Sequence, residues 1–217
     1  FTNIVQKNSI IGISWGTNLY QMIRAIKPMS LPHAEVVQLV GGTGSEEASA
    51  IGPLLAPLLA DKLSCACKFI HAPLITKSPE RCKAFLEEPS IEMVINRAKQ
   101  ADIALVGIGT LALEINNPYK LGYVTEEEVG NLITCGAVGV VCARYYSING
   151  TNDCFDLNER VVGIDLDNLK KIPTIIGIAG GKRKVEAIFG ALNAGYINVL
   201  VTDEVAARMV LELAKNQ

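Results

Sequence analysis

The sequence predicts an α/β fold: a doubly wound, mostly parallel sheet flanked by helices, with a small inserted β lobe near 136–165. Three observations carry that prediction. Short, continuously apolar, β-branched runs recur along the chain, most of them end in a glycine-bearing turn, and an amphipathic segment generally follows. A strand buried on both faces reads as an unbroken apolar run, and intervening helices provide the long crossovers that parallel strands need.

The elements follow in order. "NSII" with Gly12 forms the first strand and ends in "GISWGTN"; "TNLYQMIRAIK" then places Leu19, Met22, Ile23 and Ile26 at helical spacing. Thr17 or Asn18 is suited to cap that helix, and the N–H groups exposed at such a turn make an anion site. "EVVQLV" runs into "GGTGSEE" and a helical stretch, and "CKFIHAPLI" follows. "ADIALVG" leads into "IGT", "TIIGIA" into "GGKRK", and "INVLV" into "TDE". From about Asn116 to Asp165 the rhythm breaks. Two β-prone runs around "NGTND" predict a hairpin or lobe inserted into the sheet.

Bulk properties narrow the class. A chain of 217 residues, 49% of them hydrophobic, can bury one substantial core, and residues 1–217 read as a single domain. Twenty basic against 22 acidic residues give a net charge of −2, with no like-charge run of the kind that makes a nucleic-acid tail. The six cysteines lie scattered, mostly in apolar runs, beside only two histidines. That spacing builds no zinc site and fits reduced thiols in the cytoplasm. No secretory signal and no apolar stretch of about 18 residues is present, so a soluble protein without a membrane partner is expected. Neither a metal nor a cofactor is called for.

In an open parallel sheet the loops leaving the carboxyl ends of strands line the ligand crevice. Here those loops are "WGTN", "GGTGS", "HAP", "GIGT", "AGGKRK" and "TDE". "GGTGS" lacks the lysine of a phosphate-binding P-loop, and no loop supplies the dinucleotide fingerprint with its distant acid, which argues against a nucleotide. "IAGGKRKVEAI" is the most informative. Its two glycines let the backbone approach a ligand, and Lys182, Arg183 and Lys184 sit at a helix start, where the dipole disfavours cations. A bound phosphate would explain that choice; a solvated first turn is the bland alternative. Four other residues have two readings each: Trp15 as a ligand-stacking or a packing residue, His71 as a donor or a structural histidine, Asp203 as an acid or a helix cap, and Arg144 as a pocket base or a paired surface charge.

Taken in order, "GISWGTN", "GGTGS", "HAPLI…SPE", "ADIALVGIGT", "GAVG", "LNERVVGI", "IPTIIGIAGGKRKVEAI" and "GYINVLVTDEVAA" resemble the effector-binding domain of SorC/DeoR-type bacterial transcriptional regulators over nearly the whole chain. The resemblance implies a fold like that of sugar-phosphate isomerases and a sugar or sugar phosphate as effector. It also implies a homo-oligomer, dimer or tetramer, and operator DNA contacted only through an N-terminal helix-turn-helix domain absent from this chain. It assigns ligand contacts to Gly16, Thr17, Asn18, Gly41, Gly42, Thr43, Gly44, Gly107, Gly109, Gly180, Gly181 and Lys184, with Lys184 on a phosphate or ring hydroxyl. Three departures from the family pattern touch polar contacts: Asn18 in place of a second threonine, "ASAIGPLLAPLLA" with Pro53 and Pro57 in place of an asparagine-bearing helix, and Val140 in place of an acid. The competing function is a sugar-phosphate isomerase or lactonase using the same pocket. It would need an acid and base pair, for which Asp203 and Glu186 are the candidates. No such pair stands in the loops, so a non-enzymatic sensor is expected.

Overall fold

The computed structural model describes residues 1–43, 55–152 and 155–216. In chain order the elements are β1 (Ile10–Ile13), α1 (Thr17–Ala25), β2 (Glu35–Gln38), α2 (Leu55–Leu63), β3 (Ala66–Lys68), α3 (Pro79–Leu86), α4 (Pro89–Ala98), β4 (Ile103–Gly109), α5 (Asn117–Lys120), α6 (Glu126–Thr134), β5 (Ala137–Val141), β6 (Arg144–Ser147), α7 (Leu166–Leu169), β7 (Thr174–Ile178), α8 (Val185–Asn193), β8 (Val199–Val201) and α9 (Glu204–Lys215). Short 3₁₀ turns occupy Leu113–Ile115, Asp156–Arg160 and Lys182–Lys184.

Six strands form a parallel sheet in the order β3-β2-β1-β4-β7-β8, as the apolar runs predict. Its two faces bury separate cores. One holds Ile11, Ile13, Leu105, Ile176 and Ile178 under α1 and α2. The other holds Val37, Ala104, Val106 and Ile175 under α3, α4 and α8. Alternation along each strand sends neighbours to opposite faces, so β4 serves both cores. Each fully buried Ile or Leu contributes about 1.5–3 kcal/mol, which makes this double burial the main source of stability.

β4 is also where the sheet forks. Its residues Ile103 to Gly107 pair with β7, while Ile108 and Gly109 pair antiparallel with Val141 and Val140 of β5, which continues into β6. This hairpin is the expected inserted lobe, but its turn is not "NGTND". Cys142 and Ala143 make the turn, both with positive φ (50° and 60°), while Asn149 and Gly150 turn the chain after β6. Two-residue turns of this kind usually carry Asn or Gly, so the apolar "CA" gave no signal. Residues 155–165 then strap back across the domain, with isolated bridges from Val161 to Ile75 and from Gly163 to Val40.

Arg144 is not a paired surface charge; it lines a cavity of about 350 Å³ with Asn152, Phe155, Asp156, Asn158 and Glu159. Its guanidinium is buried and donates to the carbonyls of Asn158, Val161, Gly163 and Ile164, holding the strap to β6. The third apolar run is strand only over β3; from Phe69 onward it is irregular, and Gly42 and Pro73 form a bridge there. The described cysteines carry no disulfide, and Cys154 and Pro53 lie outside the described residues. Among the described residues no helix is long and apolar enough to cross a membrane, and no cluster of three or more His, Cys, Asp or Glu could hold a metal.

Candidate functional site

The chain leaves β1 toward β2 on one side, whereas β4 lies on the other side of β1. The loops after β1 and β4 therefore diverge at their carboxyl ends, and a crevice opens there as the topology requires. It is a cleft of about 390 Å³. The β1–α1 turn supplies Ser14 to Asn18, β4 supplies Gly107 to Gly109, and the β7–α8 turn supplies Gly180 and Lys184. The segment after β4 adds Ile115, Asn117, Pro118 and Lys120, and the β5–β6 hairpin adds Val140, Cys142 and Ala143.

The β1–α1 turn presents unused polarity. Gly16 occupies the N-cap position with φ 149°, and no side chain caps the helix; Thr17 and Asn18 are its first helical residues. Their side chains are therefore free of the capping role that the sequence suggested, and the first-turn N–H groups point along the helix axis toward the cleft end. Behind them Gly107 allows β4 to pass close, since a Cβ there would stand 3.2 Å from the Trp15 carbonyl oxygen. Trp15 packs against the two cores, as its packing reading expects, and also lines the cleft.

Lys184 closes the opposite wall. It lies in the 3₁₀ turn just ahead of α8, and its Nζ donates to the Ile108 carbonyl at 2.8 Å. Burial pushes its pKa below the ordinary lysine value, and it makes no ion pair among the described residues. A desolvated ammonium held only by a neutral carbonyl gains from an anionic neighbour. Lys120 adds a second amine to the lining, and no carboxylate or imidazole is among the lining residues. Lys182 and Arg183 point outward; Arg183 pairs with Glu114 at 3.4 Å, with both side chains exposed. Cys142, fully buried, has its thiol pushed up to about 12 by desolvation and stays neutral, with the Ser14 hydroxyl bonded to its sulfur.

The structure brings Gly16, Thr17, Asn18, Gly107, Gly109, Gly180 and Lys184 together around this cleft. It sets Gly41, Gly42 and Thr43 apart, in a crevice of about 10 Å³ that shares only Ser14 and Trp15 with the cleft. There the glycines serve a backbone crossing. A Cβ on Gly41 would lie 2.6 Å from the Pro73 carbonyl oxygen, and the Gly41 and Gly42 N–H groups donate to Val162 and Ala72. Gly44 lies outside the described residues. Gly181 is off the lining, and its N–H donates to Asp203 Oδ2 at 2.6 Å, while Asp203 Oδ1 accepts from Ala206 N–H and caps α9. Asp203 is thus a cap that also pins the glycine turn. His71 is exposed beside the Phe69 ring and is not on the lining.

Sequence reasoning missed Ser14, Ile115, Asn117, Pro118, Lys120, Cys142 and Ala143. One signal was available for Asn117, Pro118 and Lys120: "NNP" is a capping asparagine two residues before a first-turn proline, and the Asn116 side chain indeed accepts from Tyr119 N–H, opening the short α5.

The fold and cleft define an α/β domain with an open crevice whose lining carries polar side chains and two lysine amines. The chain belongs to the family described as "Putative sugar-binding domain", whose model matches residues 1–212. It is 33% identical over 207 residues to the deoxyribonucleoside regulator of Bacillus subtilis (strain 168), covering 95% of this chain and 66% of that protein. It superimposes with a TM-score of 0.88 and 28% identity on the "Putative Sugar-Binding Domain of Transcriptional Repressor" from Vibrio fischeri, covering 99% of this chain and 83% of that one. Against the full-length sorbitol operon regulator SorC from Klebsiella pneumoniae the TM-score is 0.89 at 27% identity, covering 97% of this chain and 68% of that one. The resemblance to SorC/DeoR-type regulators read from the loops is therefore carried by both sequence and fold.

Proposed function

We propose that this chain is the ligand-sensing domain of a DNA-binding transcriptional regulator of carbohydrate metabolism, and that its cleft binds a sugar phosphate without turning it over. The observation that carries the reading is the charge of the lining: two lysine amines and the first turn of α1, with no carboxylate. A phosphate suits Lys184, whose one hydrogen-bond partner among the described residues is a carbonyl. The hydroxyls of a sugar suit Ser14, Thr17, Asn18 and Asn117, and its apolar faces suit Trp15, Ile115 and Val140. These are the contacts we assign, together with the close glycine backbone at Gly16, Gly107, Gly109 and Gly180.

An isomerase or lactonase in the same cleft is the weaker reading. Proton transfer needs a base within about 3 Å of the proton it takes. Asp203 caps a helix, Glu186 is exposed on α8 away from the lining, and the Cys142 thiol is held neutral. Operator contact belongs, in this reading, to a separate N-terminal domain, and the assembly is a cytoplasmic homo-oligomer.

Thermal unfolding across a panel of free and phosphorylated sugars tests the reading. A phosphosugar at about 100 times its dissociation constant raises stability by roughly 2.7 kcal/mol, a shift of roughly 5–10 °C for a domain of this size. The free sugar should shift it less. No shift with any phosphorylated member would overturn the proposal, and conversion of the bound sugar detected by NMR would replace it with the enzymatic one.

A further inference from the structure

The cleft sorts its polar groups by element. The β1–α1 turn brings Ser14, Thr17 and Asn18 and the β7–α8 turn brings Lys184, whereas the β5–β6 hairpin brings only Val140, Cys142 and Ala143. All three are buried, at 6%, 2% and 2% exposure. Val140 lies across β4 because Gly109, its register partner, has no side chain: a Cβ there would stand 2.6 Å from Val140 Cγ1. β5 runs between β4 and β6, so its backbone polar groups are taken up by the two ladders. The Cys142 thiol is neutral, and the Ser14 hydroxyl, itself 6% exposed, is already bonded to its sulfur. The hairpin wall therefore offers a ligand no charge and no side-chain oxygen or nitrogen.

What a sugar phosphate can place against that wall follows from desolvation. A hydroxyl pressed onto Val140 and Ala143 would leave water without gaining a partner, which is the unfavourable way to bury a polar group. A methylene or methyl carbon would gain from the same contact. In the proposed reading the phosphate goes to Lys184 and the other hydroxyls to Thr17, Asn18 and Asn117, so neither needs the hairpin. An apolar wall rejects an added hydroxyl by no more than about 100-fold, because none of its own polar groups is left unpaired by the wrong ligand. The preference expected here is of that order or smaller.

We propose that the ligand is a deoxysugar phosphate whose deoxy carbon, a methylene or a methyl, sits against Val140, Cys142 and Ala143. This rests on the sugar-phosphate reading and adds which kind of sugar the cleft prefers. Calorimetry on matched pairs tests it: 2-deoxyribose 5-phosphate against ribose 5-phosphate, 2-deoxyglucose 6-phosphate against glucose 6-phosphate, and L-fuculose 1-phosphate against L-tagatose 1-phosphate. In at least one pair the deoxy member should bind roughly 10- to 100-fold tighter. Val140→Thr keeps the side-chain shape and adds a hydroxyl, so it should bring that ratio below about threefold. Lys184→Met should weaken both members alike and leave the ratio unchanged. Cys142→Ser puts a hydroxyl on the same wall; it should narrow the ratio as well, and it decides the matter if the threonine variant does not fold. Equal affinity within every pair, or preference for the hydroxylated members, would overturn the proposal and leave the sugar-phosphate reading standing. So would an undiminished ratio in a folded Val140→Thr. No binding by any member, or binding that gains nothing from the phosphate, would overturn both.

Discussion

The turn after β1 and the turn after β2 look alike in sequence: each is a glycine-bearing stretch with a threonine at the carboxyl end of a buried strand. In the structure they have different surroundings. Residues 14–18 leave Thr17, Asn18 and the first-turn N–H groups facing an open cleft. Residues 41–43 are stitched by backbone bonds to Val162, Ala72 and Leu74, and line a separate crevice of about 10 Å³. The difference lies in what crosses each strand end. β1 and β4 diverge and leave space, whereas the segment from His71 to Ile75 and the strap at 161–163 close over β2. A glycine in such a turn therefore marks a close approach without saying whether the approaching group is ligand or chain.

The comparison is broken most sharply by Gly41→Val. The added side chain would meet two carbonyl oxygens within 2.7 Å, so stability should fall by about 3 kcal/mol, the upper end of the usual overpacking range. Unfolding of the variant would show a melting temperature lower by roughly 6–12 °C, while the folded fraction keeps its phosphosugar affinity. A Gly41 variant that folds normally but loses ligand would return this turn to the site.

Lys184→Met tests the open side. Losing a charge-assisted bond costs about 1.5–3 kcal/mol, so calorimetric affinity for a phosphosugar should drop roughly 10- to 150-fold. Stability should change by less than about 1 kcal/mol, because the variant loses a buried charge along with its bond to Ile108. The pH dependence follows from the lowered pKa. The unfolded chain holds the lysine proton more tightly than the folded one, so burial of the charge destabilises the fold below the folded pKa. Stability then recovers as pH rises from that value toward 10.5. Methionine should abolish that recovery in alkaline unfolding curves, and ligand affinity of the parent chain should fade over the same window.

Thr17→Val and Asn18→Leu sharpen the contrast at smaller scale. Neither side chain caps α1, so stability should stay within about 0.5 kcal/mol, while each lost ligand bond of about 0.5–1.5 kcal/mol weakens affinity roughly two- to tenfold. A melting temperature that falls without any loss of affinity would show that their polarity serves the fold. The smallest effect belongs to Arg183→Gln. Its ion pair with Glu114 is exposed on both sides, and chemical denaturation should register less than about 0.5 kcal/mol.

Much of the fold was legible because its signals are local. Unbroken apolar runs mark strands buried on both faces, and helical spacing such as Leu19 to Ile23 marks the covering helices. Lys184 stood out because three cations at a helix start are locally disfavoured. The partition of the loops was not legible, because it depends on strand order: Gly16 and Gly107 meet at a cleft, and Gly41 does not, only once β4 has passed to the far side of β1. The hairpin turn was hidden because Cys142 and Ala143 take left-handed backbone angles without the residues that usually advertise them. Lys120 lay where the βα rhythm had lapsed, and nothing periodic pointed to it.

The central place of β4 bears on the order in which the molecule is made. It pairs with β1 before it in the chain and with β7 about 70 residues after it, a long closure of the kind that slows folding. The cleft walls come from both sides of that closure: residues 14–18 and 107–109 precede it, and Gly180 and Lys184 arrive with it. A chain in which β7 has not docked, nascent or unravelling, lacks the Lys184 wall, so the complete cleft exists only once that closure is made.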